Sequence, residues 1–549
     1  MLYRLILLFT LIFLPLSIFA STSNNKFGIS LAQPNTDQFS QVRELVNSSG
    51  GDWGYITLVI QENDRSKDKW QGIFNQLRAL HLIPIIRLAT SAEGENWRRP
   101  EVKDAQGWVD FLDSLNWVVK NRYVILFNEP NHGSEWGGEV DEKNYAEVTT
   151  EFAKKLKEKN PDFFVMLAGF DASAPSWPPG MEDEEVFLRR LSSYEDSLQY
   201  IDGWASHSYP NPGFSGSPYA TARGTVRTYE WELGLLKELG VTKELPVFIT
   251  ETGWKRGNEN TVADNFQTAY NQIWLPDDRV KAVTPFVFDY QGEPFLEFSW
   301  KKYSSQEFYQ QYYSVQSMSK IKGEPEQREK GEINFNLPKE LVEQSEYNFK
   351  VKLKNQGQSI WSKDDNYYLS HGRDIDNKDK VEIKFSDIDN IKPFEEKEVR
   401  FKVVTKNKLS KQKTIFILQK NDKIIIESED WNINILPLPA LKFETNFFPW
   451  GKGKGDNYEI QIWDVNDRIV FKKKNISIKQ GAGELKNIQN IALDELYRVV
   501  LLKPYYLPRQ EFVVFKKDNN KVKFKFLLPF DFNNDGTFNF KDIVSIFKK

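Results

Sequence analysis

Cysteine is absent from all 549 residues of the chain. An exported form of the protein therefore has neither disulfide bonds nor a lipid anchor on a cysteine, which favours a bacterial secreted protein over an animal one. The formal net charge of −4 gives no electrostatic reason to expect a nucleic acid partner. Beyond the N-terminal segment, no apolar run is long enough to cross a membrane.

Residues 1–20 have the pattern of a signal peptide. Arg4 precedes an apolar run from Leu5 to Ala20, and the chain then becomes polar, which places cleavage near Ala20 or the following serine. An uncleaved membrane anchor is the alternative, although the run is short for a full span and contains Pro15. We therefore expect a secreted or cell-surface protein.

Residues 24–318 alternate short apolar strands with amphipathic helical stretches. Phe39, Val42, Leu45 and Val46, for example, recur at helical spacing. Eight strand candidates, each followed by a helical stretch, predict an α/β fold of the (β/α)8 TIM barrel type. A doubly wound open sheet is the alternative, but it usually has fewer units, and no glycine-rich dinucleotide loop follows the first strand. The strand candidates are FGISLA, YITLVI, LIPIIRLA, YVILFNE, FFVMLAG, IDGWASHSY, PVFITET and AVTPFVFD.

The composition changes after the barrel segment. Residues 319–332 are charged and contain proline, which predicts a linker. Residues 333–437 and 440–527 alternate apolar with polar side chains, which is typical of half-buried antiparallel strands and predicts two β-sandwich modules. The stretch YNFKVKLKNQGQSIW in the first module resembles bacterial immunoglobulin-like domains.

The last segment, residues 528–549, contains the pattern of a calcium loop followed by a short EF-hand-like helix. Gly536 occupies the sixth position, where the loop must turn sharply. A solvated tail rich in Asp and Asn is the alternative. The predicted calcium ligands are Asp531, Asn533, Asp535, Thr537, Asn539 and Asp542.

Two glutamates stand where predicted strands of the barrel end. Glu129 lies in YVILFNEPNHG and Glu251 in LPVFITETGW, and turn residues follow both. Because the carboxyl ends of barrel strands meet on one face, strands four and seven should bring the two side chains to a shared site. A pair of carboxyl groups is what cleavage of a glycosidic bond requires. Each glutamate taken alone would more often be a surface acid.

Further polar residues fall at strand ends on the same predicted face. Asn128 can donate to a sugar hydroxyl, and Tyr209 can hydrogen-bond a carboxylate on strand seven. Arg87, in an otherwise apolar run, needs a carboxylate partner. His207 ends strand six. Each of these residues also has a structural interpretation: Arg87 ties strands together, His207 is a satisfied buried histidine, and Tyr209 begins a loop.

The motifs FNEPN, HSYP and ITETGW resemble those of the clan A glycoside hydrolases, with family 39 and related families most similar. The resemblance covers roughly residues 26–316. It implies a retaining enzyme in which Glu129 is the general acid/base and Glu251 the nucleophile. It further implies that Asn128 holds the sugar 2-hydroxyl and that Tyr209 and Arg87 position Glu251.

Strand eight departs from that pattern. Many clan members end this strand with a Trp that forms the floor of the sugar subsite, whereas this chain has PFVFDYQG. Phe288, Asp289 or Tyr290 would have to serve instead. Trp136, Trp177 and Trp254 follow strands four, five and seven and are candidate sugar platforms. The alternative for each is that it packs a loop.

The sequence thus predicts a secreted retaining glycosidase that acts on β-glycosidic bonds. Neither a metal ion nor an organic cofactor takes part in that chemistry, and Ca²⁺ has a structural role in the C-terminal loop. A non-catalytic glycan-binding surface protein and a transglycosidase are the alternatives. The tail resembles one half of a dockerin, which implies a cohesin-like scaffold partner, but only one loop is present, and a calcium-bound cap on the preceding module is equally compatible with it.

Overall fold

The computed structural model describes residues 23–372 and 380–546. The chain forms two compact units, of which the first ends at Arg328 and the second begins at Glu329. This division lies inside the segment 319–332 that we predict as a linker. The predicted signal peptide, residues 1–20, lies outside the described residues. Within the described ranges, no helix combines the length and the apolar content that a membrane span requires.

The first unit is built on eight parallel strands that close into a barrel. Strands β1 to β5 pair in sequence order, and β6, β7 and β8 do the same. A parallel bridge between Phe27 and Val283 joins the first strand to the last, and a bridge between Asp171 and His207 joins the remaining edges. The strands are β1 (Gly28–Ser30), β2 (Gly54–Gln61), β3 (Leu82–Ala89), β4 (Arg122–Leu126), β5 (Phe163–Leu167), β6 (Trp204–His207), β7 (Val247–Glu251) and β8 (Val280–Val283).

Eight helices surround this barrel in the described part of the unit. Their apolar stripes face the strands: α1 buries Phe39, Val42, Leu45 and Val46, as its spacing predicts. Side chains of Ser, Asp or Asn cap the N-termini of α2, α4, α5 and α7. The helices are α1 (Phe39–Val46), α2 (Lys67–Ala79), α3 (Asp104–Asp113), α4 (Glu142–Lys159), α5 (Glu184–Leu191), α6 (Thr228–Glu238), α7 (Glu259–Ala269) and α8 (Gln310–Ser317).

Two carboxyl groups are buried together between α5, α6 and β6. Glu184 and Glu232 are both fully buried, and their carboxyl groups are close enough to share a hydrogen bond. Burial raises the pKa of both groups above the ordinary value for glutamate, and for Glu184 the charge of Glu232 adds to the shift. The pair therefore keeps a proton to higher pH than an ordinary glutamate does.

We expect the substitution Glu232→Gln to make the barrel less sensitive to rising pH. A buried acid with a raised pKa stabilises the fold below its unfolded pKa and loses that contribution as the pH rises through its folded pKa. Each proton that only the folded state retains lowers the free energy of unfolding by about 1.4 kcal/mol per pH unit, and the glutamine removes one such site. Thermal unfolding of the full chain between about pH 5 and pH 8 measures the effect.

The matched control is Glu238→Gln, because Glu238 is exposed on the same helix. That variant should follow the wild-type pH dependence. If the unfolding temperature of Glu232→Gln changes with pH as that of the wild type does, the buried pair does not titrate as we infer.

The second unit consists mainly of antiparallel sheets around two apolar cores. The first core includes Trp361 and Trp431, and the second includes Ile460 and Val499. Around the first core, one sheet has the order β9-β11-β14-β13 and the other β10-β17-β15-β12, with β16 paired to β15. These strands are β9 (Gly331–Asn334), β10 (Glu340–Val342), β11 (Ser345–Asn355), β12 (Tyr367–Gly372), β13 (Val381–Phe385), β14 (Glu396–Thr405), β15 (Ser410–Lys420), β16 (Lys423–Glu427) and β17 (Trp431–Leu436).

Around the second core, the sheets have the orders β23-β18-β26 and β22-β21-β24-β25-β27, and β19 and β20 form a separate hairpin. Tyr347 of the first part donates to the carbonyl of Ile491 in the second at 2.8 Å, so the two parts are in contact. The elements are β18 (Leu441–Glu444), β19 (Asn446–Phe447), β20 (Gly451–Lys452), β21 (Gly455–Trp463), β22 (Ile469–Ile478), β23 (Ala482–Leu485), β24 (Leu496–Lys503), β25 (Tyr505–Val514), β26 (Asn520–Lys523), β27 (Pro529–Asp531) and α9 (Phe540–Ile546).

Candidate active site

The barrel places the two predicted glutamates at the carboxyl ends of its strands. Glu251 is the last residue of β7, and Glu129 follows β4 after a short turn. Phe127 and Glu129 have φ angles of +72° and +27°, which are left-handed conformations that residues other than glycine seldom adopt. This turn directs the Glu129 side chain into the mouth of the barrel, and the local strain is typical of functional sites.

The carboxyl groups of Glu129 and Glu251 lie close to each other and to one histidine. An oxygen of each carboxylate and a ring nitrogen of His207 all lie within 4.8 Å of one another. His207 Nδ1 is 2.8 Å from Oε1 of Glu129 and 3.9 Å from Oε2 of Glu251. Retaining glycosidases hold their two carboxyl groups about 5–5.5 Å apart, which leaves no room for a water molecule between nucleophile and sugar.

Two donors hold the Glu251 carboxylate, one at each oxygen. Arg87 Nη1 donates to Oε1 at 2.8 Å, and the Tyr209 hydroxyl donates to Oε2 at 3.1 Å. Burial, followed by the charge of Glu251, raises the pKa of Tyr209 well above its ordinary value, so this phenol stays protonated. Donors to both oxygens stabilise a carboxylate anion and fix its orientation.

Arg87 also orients Asn128. The same Nη1 atom donates to Oδ1 of Asn128 at 2.5 Å. The amide oxygen faces the guanidinium, and the amide nitrogen of Asn128 hydrogen-bonds Glu135. Because an amide nitrogen carries two N–H groups, one of them remains for a ligand in the cleft.

His207 is buried and lies against Glu129. Burial lowers the pKa of His207, but the charge of Glu251 and the hydrogen bond and charge of Glu129 outweigh it, so that the pKa lies above its ordinary value. Gly169 makes this placement feasible, because a Cβ at that position would collide with the imidazole ring. The carbonyl of Gly169 also accepts from the backbone N–H of Glu129 at 3.1 Å. The glycine thus sets the position of both residues.

The three candidate platforms have different surroundings. Trp136 is fully buried and donates from Nε1 to Asn144 at 3.0 Å, while Trp254 is 4% exposed and donates to the carbonyl of Gly216 at 2.8 Å. Both side chains thus pack against the protein, as in the alternative interpretation that they hold a loop. Trp177 is 74% exposed in the loop after β5.

Asp289, after β8, accepts from Gln38 Nε2 at 2.6 Å. Its ion-pair partner in the described residues is Lys301, at 3.6 Å.

A row of aromatic rings next to Glu251 is not apparent from the sequence. Tyr209 packs edge-on against Phe214 and Phe298, with ring centroids 5.1 and 6.2 Å apart. Phe286, just after β8, lies 6.4 Å from Phe298. Phe288, one of the neighbouring aromatics proposed for the subsite floor, is fully buried. These rings come from the loops after β6 and β8, which are far apart in sequence, so no local sequence pattern links them.

A third carboxyl group, Glu135, also belongs to the site and is missed by sequence reasoning. Burial, followed by the charge of Glu129, raises the pKa of Glu135 to about 7, and the side chain of Asn128 is a further neighbour. His132, on the same loop, has Nε2 2.9 Å from Oδ2 of Asp171. The only available signal was the short distance along the chain from Glu129, which by itself does not indicate that the loop folds back.

The C-terminal loop forms a second cluster of carboxylates. Oxygens of Asp531, Asp535 and Asp542 lie within 4.8 Å of one another. Asp531 and Asp542 are buried, and Oδ1 of Asp531 has no hydrogen-bond partner in the described residues. Gly536 has a φ of +84° and donates its N–H to Asp531 at 3.1 Å, which is the sharp turn expected at this position.

The other predicted ligands, Asn533, Thr537 and Asn539, are near the carboxylates but bonded within the loop. Asn533 Nδ2 donates to Asp535 at 2.8 Å, and the Thr537 hydroxyl donates to the same residue at 2.7 Å. Asn539 donates to Thr537 at 2.9 Å. A buried oxygen without a partner, beside two further carboxylates, fits the oxygen-rich coordination that Ca²⁺ prefers.

No family model and no curated protein sequence matches the chain. Among solved structures, a triple mutant of an endo-β-1,4-glucanase from Xanthomonas axonopodis pv. citri is 14% identical, with 53% of this chain and 98% of that chain covered and a TM-score of 0.39. An endo-β-1,4-mannanase from Thermotoga petrophila is 10% identical, with coverage of 76% and 99% and a TM-score of 0.34. A glucosidase from Croceicoccus marinus is 10% identical, with coverage of 85% and 94% and a TM-score of 0.38.

Proposed function

We propose that the barrel hydrolyses β-glycosidic bonds by double displacement, with retention of configuration. The observation that carries the proposal is the separation of the two carboxylates: Glu129 and Glu251 approach within 4.8 Å at the carboxyl ends of β4 and β7. An inverting enzyme needs about 6.5–9.5 Å between its carboxyl groups to accommodate a water molecule.

In the first step, an oxygen of Glu251 attacks the anomeric carbon while the bond to the leaving oxygen breaks. Glu129 gives its proton to that oxygen, so the leaving group departs as a neutral alcohol. Arg87 and Tyr209 hold Glu251 at both oxygens, which presents one carboxylate in a fixed orientation. The product of this step is a covalent glycosyl-enzyme.

In the second step, Glu129 accepts a proton from water, and the resulting hydroxide attacks the same carbon. The bond between sugar and Glu251 breaks, and Glu129 is again protonated. His207 keeps its 2.8 Å contact with Glu129 through Nδ1 and thereby orients it. The amide nitrogen of Asn128 is the group we assign to the sugar 2-hydroxyl, because its oxygen is held by Arg87.

The stereochemistry of the first product tests this proposal. We expect proton NMR of a digest to show the β-anomer first, followed by slow mutarotation, because two inversions restore the starting configuration. The substrates are a panel of β-glucans, β-mannans and aryl β-glycosides. An α-anomer as first product would contradict double displacement. Elongated oligosaccharides in place of free sugar would instead indicate a transglycosidase that uses the same two residues.

We also propose an exported protein, with residues 1–20 as its signal peptide and residues 333–437 and 440–527 as two β-sandwich modules. The absence of cysteine suits export without disulfide formation. The paired sheets around separate apolar cores support the two-module division. Family 39 membership and a cohesin-like scaffold partner remain proposals that only the sequence motifs support.

We further propose that the loop from Asp531 to Asp542 binds Ca²⁺ and stabilises the second unit. We expect the full chain to unfold at a higher temperature in Ca²⁺ than in EDTA. At a hundredfold excess of Ca²⁺ over the dissociation constant, the free energy of unfolding should rise by about 2.7 kcal/mol. The substitution Asp535→Asn should reduce the calcium-dependent shift, since it removes one charged ligand. Calorimetry in both buffers measures it.

The control for the calcium effect is Asp518→Asn, an exposed aspartate of the same unit outside the loop. It should retain the full calcium-dependent shift. Identical unfolding curves of the wild type in Ca²⁺ and in EDTA would show that the loop is not a calcium site.

A further inference from the structure

The hairpin of β19 and β20 presents aromatic side chains to solvent. The turn between the two strands has the sequence FPW, and its residues Phe448 and Trp450 are 53% and 91% exposed. Apolar side chains of this size are usually covered in a folded protein, and a cluster of them marks an interaction surface. With 91% of its surface exposed, Trp450 buries little area in the fold, which indicates a role outside packing.

Basic residues surround this hairpin. The backbone N–H of Phe448 donates to the carbonyl of Leu527 at 3.0 Å. This bond brings the end of β26 and the segment after it, with Lys523, Lys525 and Phe526, alongside the turn. A cavity of about 530 Å³ lies between them, and Arg509 is part of its wall. Among the described residues that line this cavity, none is an aspartate or a glutamate. Phe526 is itself 48% exposed, so aromatic and cationic groups alternate across the surface.

The positive charges of this surface have no carboxylate partners among the described residues. In the described part of the chain, Arg509, Lys523 and Lys525 form no ion pair with a carboxylate. Residues 440–527 contain 17 Lys and Arg against 10 Asp and Glu, a net charge of +7, whereas the whole chain carries −4. The remaining residues therefore carry −11. A basic module in an otherwise acidic protein attracts anionic partners.

We propose that this aromatic-basic face, formed by Phe448, Trp450, Arg509, Lys523, Lys525 and Phe526, docks on membranes that contain anionic lipids. Trp and Phe side chains favour the interface between headgroups and acyl chains. Lys side chains bury their methylenes there and reach the lipid phosphates with their ammonium groups. The aromatic side chains of the turn thus suit the boundary of the acyl chains, and the cations suit the lipid phosphates.

The same chemistry fits an acidic polysaccharide less well. Sugar hydroxyl groups both donate and accept hydrogen bonds, whereas Lys and Arg side chains only donate. The cavity wall offers a single amide, Asn446, and no carboxylate. Trp450 at the tip of a turn is suited to insertion, since it stands out from the surface with 91% of its area exposed.

Vesicle sedimentation of the full chain tests the inference. We expect the protein to sediment with vesicles of phosphatidylcholine and phosphatidylglycerol and to stay in solution with phosphatidylcholine alone. Added salt should weaken binding, because it screens the lysines from the headgroups. We expect Trp450→Ala and the double variant Lys523→Glu/Lys525→Glu each to weaken binding by about tenfold or more.

The matched controls are Trp177→Ala, another strongly exposed tryptophan, and Lys408→Glu/Lys411→Glu, two exposed lysines of the same unit. Both should sediment like the wild type, and all variants should unfold at the wild-type temperature. Equal binding to charged and uncharged vesicles, or full binding by Trp450→Ala, would overturn the proposal. So would retention on a polygalacturonate gel without any sedimentation, which would identify an acidic glycan as the partner. None of these outcomes depends on glycosidase activity.

Discussion

Replacing Glu251 by alanine is expected to abolish turnover of the glycan that the wild type cleaves best. The substitution removes the atom that forms the covalent bond to the sugar, and loss of such a nucleophile costs about four orders of magnitude or more in kcat. Arg87 and Tyr209 would lose their shared partner, but the anomeric carbon would still bind beside Glu129. Initial rates measured by reducing-sugar release are the appropriate assay.

Azide distinguishes loss of the nucleophile from loss of the fold. In Glu251→Ala, an azide ion can enter the vacated space and attack the anomeric carbon once, so we expect restored cleavage of an aryl β-glycoside and an α-glycosyl azide as product. The conservative variant Asp278→Asn, at the opposite end of the barrel from Glu251, should behave like the wild type. Wild-type rates in Glu251→Ala without azide would refute the role of Glu251.

Replacing Glu129 by alanine is expected to make the rate depend strongly on the leaving group. A general acid contributes about 10²–10⁴-fold when the departing oxygen needs a proton. Glycans should therefore be cleaved slowly, whereas a dinitrophenyl β-glycoside, whose leaving group needs no proton, should still form the glycosyl-enzyme. Without a base to activate water, this intermediate should accumulate. A burst of dinitrophenol followed by a slow steady state would report it.

The same variant separates the roles of the two glutamates. Azide needs no general base, so it should accelerate the slow phase of Glu129→Ala and yield a β-glycosyl azide, the opposite anomer to that from Glu251→Ala. Identical leaving-group dependence in Glu129→Ala and the wild type would contradict the assignment. So would an α-azide product, because it would place the nucleophile at Glu129.

Much of the catalytic unit can be predicted from the sequence, because short-range sequence patterns indicate the barrel strands and helices. The short continuous apolar runs of the strands and the helical faces such as that of α1 are short-range patterns. Eight of each predict a closed barrel. Closure in turn means that residues ending β4 and β7 must share one face. For this reason the convergence of Glu129 and Glu251 follows from their places at strand ends alone.

Only the tertiary structure decides what surrounds that pair. Trp136 and Trp254 have no sequence signal that tells a sugar platform from a core residue, and both are buried because the loops that carry them fold back onto the barrel. Glu135 comes close to Glu129 only because its loop turns back toward the site. Glu184 and Glu232 face each other across two helices that are separate in sequence. Such contacts depend on loop paths and on packing between distant segments, whereas strand periodicity depends only on neighbours along the chain.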